Sequence, residues 1–90
     1  MFEGYEYFYY VAKEGSITKA AEKLFISQPG LSKAIQKLES TLKCQLFYRS
    51  SKGMKLTSAG KILYESIDHV MSIIGSTQEK MQSMNQEAYG

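Results

Sequence analysis

At 90 residues the chain has room for one domain, and a domain of that size buries only roughly 60–65% of its unfolded surface, leaving a thin core that a second subunit would thicken. Apolar residues at 43%, seven Tyr and four Phe among them, exclude disorder through most of the chain, while a single Cys44 and a single His69 exclude an internal disulfide and offer no metal-ligand spacing. The net charge of +2 is divided: residues 1–12 carry −2, residues 13–61 set ten Lys or Arg against Glu14, Glu22 and Glu39 for +7, and residues 62–90 carry −3.

Residues 2–13 place Tyr5, Phe8, Val11 and Ala12 at helical spacing, and Gly15 followed by Ser16 reads as a helix stop and the N-cap of the next helix. An aromatic stripe at this spacing reads as core rather than as a base-stacking platform, since such platforms lie mostly on sheets. Tyr7, Tyr9 and Tyr10 cannot all be buried with it. Part of this aromatic surface is therefore expected to face solvent, another subunit or a further domain.

Ile17, Ala20, Ala21 and Leu24 recur at i, i+3, i+4 and i+7 as one buried stripe, and its two alanines let another helix come close. Ser27 offers a cap to the next helix and Pro29 falls in its first turn, where a missing N–H costs nothing, so the turn lies between Leu24 and Ser27. Leu31, Ala34, Ile35, Leu38 and Leu42 then form an inner face. Gln28, Ser32, Lys33, Gln36 and Lys37 point outward, with no acid among them before Glu39. Two short amphipathic helices about a tight turn, the second polar and cationic outside, have the layout of a helix-turn-helix that reads DNA. A lysine-rich face alone is usually just solvated surface; the turn chemistry, with the basic middle segment around it, is what points to a polyanion.

Beyond Leu42, residues 46–49 and 54–57 read as two strands about a turn at 50–53. This small hairpin, or wing, holds Lys52 at its tip with Arg49 and Lys55 beside it, where such a hairpin meets phosphates or the minor groove; taken alone it is equally an ordinary polar hairpin. Thr57 or Ser58 caps a final helix to about Asn85, in which Leu63, Ile67, Val70, Ile74, Thr77, Met81 and Met84 are spaced four then three as a heptad seam. A helix over 58–85 is about 42 Å long, more than a three-helix core covers, so its outer half calls for a partner. Ile62, Tyr64 and Ile73 lie off the seam and are placed to dock the helix onto its own domain. His69 reads as a surface residue flanking the seam, and residues 86–90 are expected to fray.

The succession Ala20-Ala21-Glu22-Lys23-Leu24, Ser27-Gln28-Pro29, Leu31-Ser32, Ile35, Leu38-Glu39, Leu46-Phe47, Arg49 and Leu56-Thr57-Ser58-Ala59-Gly60 closely resembles the N-terminal DNA-binding domain of LysR-type bacterial transcriptional regulators, in register and without gaps from residue 2 to about residue 86. The resemblance implies a mainly α fold: a winged helix-turn-helix of three helices and a two-stranded β wing over residues 1–57, then a linker helix over 58–90 that pairs antiparallel with its twin. It implies base-reading positions at Ser27, Gln28, Pro29, Ser32, Lys33 and Gln36, and wing cations at Arg49 and Lys52. With Thr18, Lys37 and Lys55 these cations are expected at phosphates or the minor groove, and Leu63, Ile67, Val70, Ile74 and Met81 at the dimer interface. Family members usually continue into a larger effector-binding domain of periplasmic-binding-protein type, whereas this chain ends with the linker helix and reads as a fragment. A small-molecule effector, and a tetramer, are expected only where that further domain exists. Two departures stand out. Lys43 replaces a common glycine, so a left-handed C-cap there is lost or strained by about 1 kcal/mol. Gly30 replaces a common alanine, which lowers helix propensity by about 0.8–1 kcal/mol and removes a side chain near the DNA.

The expected function is a dimeric, sequence-specific DNA-binding module with reading helices in successive major grooves of an inverted repeat. No apolar run approaches a membrane span and no signal peptide precedes the fold, so the expected setting is the bacterial cytoplasm, at the nucleoid. One rival is a helix-turn-helix used for protein interaction or oligomerisation, which needs no cationic wing. Another is a different winged-helix regulator family, such as the MarR-like proteins, with the wing between different flanking helices. An enzyme is not expected, nor a cofactor: no nucleophile is paired with a base and an orienting acid, and no glycine-rich phosphate loop follows a strand.

Overall fold

The computed structural model describes residues 2–89, in the order α1 (Glu3–Glu14), α2 (Ile17–Leu24), α3 (Gln28–Leu42), β1 (Phe47–Ser50), β2 (Gly53–Leu56) and α4 (Ser58–Tyr89). The short helices are punctuated where local chemistry offers it. α1 stops at Gly15, whose φ of 67° is left-handed and whose N–H returns to the Val11 carbonyl. Ser16 then accepts the Lys19 N–H at 3.2 Å and opens α2, and Ser27 accepts the Gly30 N–H at 3.1 Å to open α3. Both α2 and α3 end on non-glycine residues in the left-handed region, Phe25 at φ 57° and Lys43 at φ 55°. The cap at Lys43 is thus kept rather than lost, its N–H reaching the Glu39 and Ser40 carbonyls, with a strain of about 1 kcal/mol.

α1, α2 and α3 pack around Phe8, Val11, Ala20, Ala21, Leu31, Ile35 and Leu38, and Leu46 and Phe47 close the cluster from the start of the wing. Full burial of Phe8, Leu31, Leu46 and Val11 contributes about 1.5–3 kcal/mol for each. The Phe8 and Phe47 rings meet at 5.2 Å between centroids, so the wing is tied to α1 through the core. Tyr5, Ala12, Ile17, Leu24 and Leu42 line its margin, half-buried, and Ala34 is half-buried in the groove between α1 and α3.

The hairpin pairs Phe47 with Leu56, Tyr48 with Lys55, Arg49 with Met54 and Ser50 with Gly53, leaving a loop at residues 51–52. Each strand lies one position nearer the hairpin tip than the sequence expectation, because the ladder ends at Leu46, whose N–H is already taken. Its N–H donates to Glu39 Oε2 at 2.7 Å, and its carbonyl accepts the Thr57 N–H at 3.0 Å. Gly53 adopts φ 109°, and the neighbouring Met54 N–H donates to the Gly15 carbonyl at 3.2 Å. That bond seats the wing on the corner between α1 and α2.

Thr57, not Ser58, caps α4: its Oγ1 accepts the Gly60 N–H at 3.0 Å and donates to the Gln45 carbonyl at 2.6 Å. α4 runs past Asn85, since Gln86, Glu87 and Ala88 are helix formers with no breaker before Gly90. Its 32 residues span about 48 Å and lie along the molecule's 52 Å axis. Among the described residues, no helix is long and apolar enough to cross a membrane. Gly60 approaches the Leu46 carbonyl so closely that any Cβ would collide with it. Leu63, Tyr64 and Ile67 then pack on the core margin. Tyr64 docks the helix as expected; Ile62 and Ile73 do not, being 69% and 52% exposed. At 3.6 residues per turn both lie across the helix from Gly60 and Ile67. Of the three tyrosines in question on α1, Tyr9 is buried and Tyr7 and Tyr10 are half-buried.

Candidate nucleic-acid interface

The outward side of α3 is set by the stripe that faces inward. Once Leu31, Ile35 and Leu38 are in the core, Gln28, Pro29, Lys33 and Gln36 are exposed and Ser32 half-buried. Ser27 is exposed too, but its hydroxyl is engaged as the acceptor that caps α3.

Gln28 and Ser32 share a shallow cleft of about 230 Å³ with Thr18 of α2 and Arg49 of β1. A second cleft of about 240 Å³ is lined by Ser32, Gln36, Tyr48 and again Arg49. Arg49 therefore stands between the wing and the reading side of α3. It does so because it alternates with Phe47 on the strand and shares the hairpin face that carries Phe47 inward. Lys55 pairs with Tyr48 on the opposite face, away from Arg49, and Lys52 lies in the exposed hairpin loop with its N–H donating to Ser50 Oγ at 3.2 Å. Lys37 is also set apart. It lines the groove between α1 and α3 with Glu3 and Tyr7, whose phenol is pushed up by burial and then by the Glu3 carboxylate.

The basic middle segment is not all free. Lys23 Nζ pairs with Glu14 Oε2 at 3.0 Å, an exposed pair of the kind that contributes about 0–1 kcal/mol. Lys33, Lys37, Arg49, Lys52 and Lys55 make no ion pair among the described residues. Glu39, at the margin of the second cleft, is turned to the backbone: one carboxylate oxygen accepts both the Leu46 N–H at 2.7 Å and the Phe47 N–H at 3.3 Å. This acid fastens the end of α3 to the start of the wing. The sequence marked it as the end of an acid-free face and as part of the succession that carries the family resemblance, but not as this fastening. Phe25, 94% exposed at the turn between α2 and α3, also went unremarked.

The seam on α4 divides. Leu63 and Ile67 are half-buried against their own domain, while Val70, Ile74 and Met81 are 52%, 50% and 64% exposed. Phe2 and Tyr5 of the α1 end, with Leu63, Ile67, Val70 and Ile74, bound an apolar groove of about 340 Å³.

Three helices about one core, a hairpin seated on their corner and a polar outer side of the third helix define a winged helix-turn-helix domain. Residues 2–61 match the bacterial regulatory helix-turn-helix proteins of the lysR family, and the chain belongs to that family. It is 43% identical over 72 residues to the HTH-type transcriptional regulator YofA of Bacillus velezensis, a match that covers 80% of this chain and 25% of YofA. The crystal structure of the BenM DBD with catB site 1 DNA superposes with a TM-score of 0.81 at 36% identity, over 93% of this chain and 94% of that one. That of CbnR, a LysR family transcriptional regulator, gives 0.78 at 31% identity, over 92% of this chain and 29% of CbnR. The chain spans about a quarter of the length of the YofA regulators. It corresponds to the DNA-binding domain and linker helix of LysR-type transcriptional regulators, a family without enzymatic activity.

Proposed function

We propose that this chain is the operator-reading end of a transcriptional regulator, in which two copies joined through α4 place their α3 helices in successive major grooves of an inverted repeat. The observation that carries this reading is the convergence of Gln28, Ser32 and Gln36 on clefts shared with Arg49 of the wing and Thr18 of α2. The BenM DBD, similar in fold and sequence, is bound to DNA in its own structure. Residues 1–57 form the reading unit and residues 58–90 the dimerisation helix.

Gln28 and Gln36 each have the donor and acceptor to pair with an adenine edge, Lys33 donates to guanine O6 or N7, and Pro29 meets a thymine methyl. Ser27 and Ser32 complete the reading arc. Thr18, Lys37, Arg49, Lys52 and Lys55 neutralise or hydrogen-bond the backbone and supply most of the salt-sensitive affinity. Leu63, Ile67, Val70, Ile74 and Met81 carry the contact between copies, which covers apolar side chains that one copy leaves open. The setting is the bacterial cytoplasm, at the nucleoid; a small-molecule effector and a tetramer belong to a protein with a further domain.

Selection of bound duplexes from a random pool at physiological salt tests the proposal. An inverted repeat is expected. A pool that stays flat overturns it in favour of a helix-turn-helix used for protein interaction.

A further inference from the structure

α4 leaves the winged unit from a pivot. Its first turn is held by the Thr57 cap and by Gly60 against the Leu46 carbonyl, a contact at one point on the helix axis that does not itself fix the direction of the axis. Direction is set further along, where Leu63 and Ile67 rest on the core margin and, beyond this apolar contact, where Tyr9 of α1 meets α4. The Tyr9 ring stacks on Tyr64 with centroids 5.1 Å apart and planes 13° from parallel, and its hydroxyl donates to Asp68 Oδ1 at 2.8 Å. The stack fixes how near α4 lies to α1, and the hydrogen bond fixes how far α4 has swung across it about the pivot. Tyr10 closes one side of the Tyr9 ring edge-on at 6.0 Å, and Lys13 Nζ sits 5.7 Å from its centroid. Tyr9 is only 7% exposed while Asp68 reaches solvent, and the charged acceptor strengthens the bond between them. The same bond, with burial, pushes the phenol up to about 12.

We infer that Tyr9, through Tyr64 and Asp68, is a positioning residue that sets the angle between the reading unit and α4, and thereby the spacing between the two half-sites the dimer accepts. The inference rests on the dimeric reading proposed above. The lever is long enough to matter. Asp68 lies about 12 Å along the helix from Gly60, so a sideways shift of about 1 Å there turns the unit by about 5°. Across the molecule's 25 Å breadth that turn moves the reading face by about 2 Å. Two units together move by about 4 Å, more than the 3.4 Å or so between successive base pairs of a duplex. The core does not depend on this contact, since Phe8 and Val11 occupy the interior of α1 without it.

The test repeats the random-duplex selection with the wild type, Tyr9→Phe, Asp68→Ala and Asp68→Asn, and compares the spacing of the inverted repeats recovered. Tyr9→Phe removes one oxygen and keeps the stack; Asp68→Asn keeps an acceptor. Wild type is expected to recover one dominant spacing. Tyr9→Phe and Asp68→Ala should recover the same half-site sequence with the spacing broadened or moved by about one base pair, while Asp68→Asn returns to the wild-type spacing. Affinity for a duplex carrying a single recovered half-site should be the same for all four. Wild-type spacing in Tyr9→Phe overturns the inference, and so does a loss of single half-site affinity equal to the loss on the full repeat. If the wild type itself recovers no inverted repeat, the dimeric reading falls and takes this inference with it.

Discussion

Replacing Gly53 with alanine asks whether the wing is held in place by its seat on the corner between α1 and α2. Gly53 sits at φ 109°, outside the regions open to residues with a side chain, and alanine there is strained by about 1–3 kcal/mol. Its Cβ would lie 2.5 Å from the Gly15 carbonyl oxygen, well inside van der Waals contact. That oxygen is the acceptor for the Met54 N–H, so relieving the clash by lifting the strand forfeits a hydrogen bond of about 0.5–1.5 kcal/mol. Together the two effects come to about 2–4 kcal/mol, against a total stability of about 5–13 kcal/mol for a chain of this length. The variant should remain folded with its wing loosened. Urea unfolding at fixed protein concentration measures the loss, and hydrogen exchange at the Met54 amide localises it. A loss under about 0.5 kcal/mol, ordinary for a surface substitution, would refute the reasoning. So would a large loss with the Met54 amide still protected, because the seat would then be intact.

Gln36→Ala is expected to lose about 1–3 kcal/mol at one base pair of the selected site, read by competition binding, with affinity for random DNA unchanged; an equal loss on random DNA removes Gln36 from the reading arc. Lys52→Ala should weaken all sequences alike and flatten the plot of log affinity against log salt by about one unit of slope. An unchanged slope places Lys52 away from phosphate. Ile74→Asp sets a carboxylate on the seam, where pairing of α4 would bury it without a partner, so sedimentation should show monomers and affinity for the inverted repeat should fall steeply. A persistent dimer puts the interface elsewhere. Finally, the Tyr9 phenol is held up to about 12 in the fold against 10.0 in the free side chain. The unfolded chain gives up that proton first, so the contribution of Tyr9 is intact below pH 10 and is lost as pH rises through 12. The difference in unfolding free energy between wild type and Tyr9→Phe should narrow over that range; a constant difference would show that the hydroxyl contributes nothing.

The helix-turn-helix was legible because its signals are local. Gly15 with Ser16, and Ser27 with Pro29, mark helix ends by the chemistry of neighbouring backbone groups, and Ala20, Ala21, Leu31, Ile35 and Leu38 repeat at a period only a helix satisfies. The ends of the hairpin strands were read one position too far from the tip because the Leu46 N–H is taken by Glu39, which lies outside the strands. Tyr9 was marked only as one of three tyrosines that could not all be buried, and its contact with α4 was missed for a similar reason. Its acceptor is 59 residues away, and no periodicity on α1 reports a hydrogen bond made to α4. At the interface, the outward residues of α3 were legible as a face. Which of them share a cleft was not, since the placement of Arg49 depends on the pleat of β1, and Lys37 falls to the flank that meets α1.

The outward side of α3 touches nothing on which folding depends. Gln28, Lys33 and Gln36 are exposed and stand outside the core cluster, so exchanging them is expected to alter stability by no more than about 0.5 kcal/mol. Ser27, Glu39 and Gly53 have no such freedom, because they hold the helix end, the connection to the wing and the wing itself. On the proposed reading, descendants of one ancestral gene can therefore diverge to new operators by point mutation at these exposed positions of α3 while Ser27, Glu39 and Gly53 stay under selection for shape. The same partition makes Gln28, Lys33 and Gln36, but not the buried Leu31 and Ile35 between them, natural positions for randomisation when a new binding preference is wanted from an unaltered scaffold.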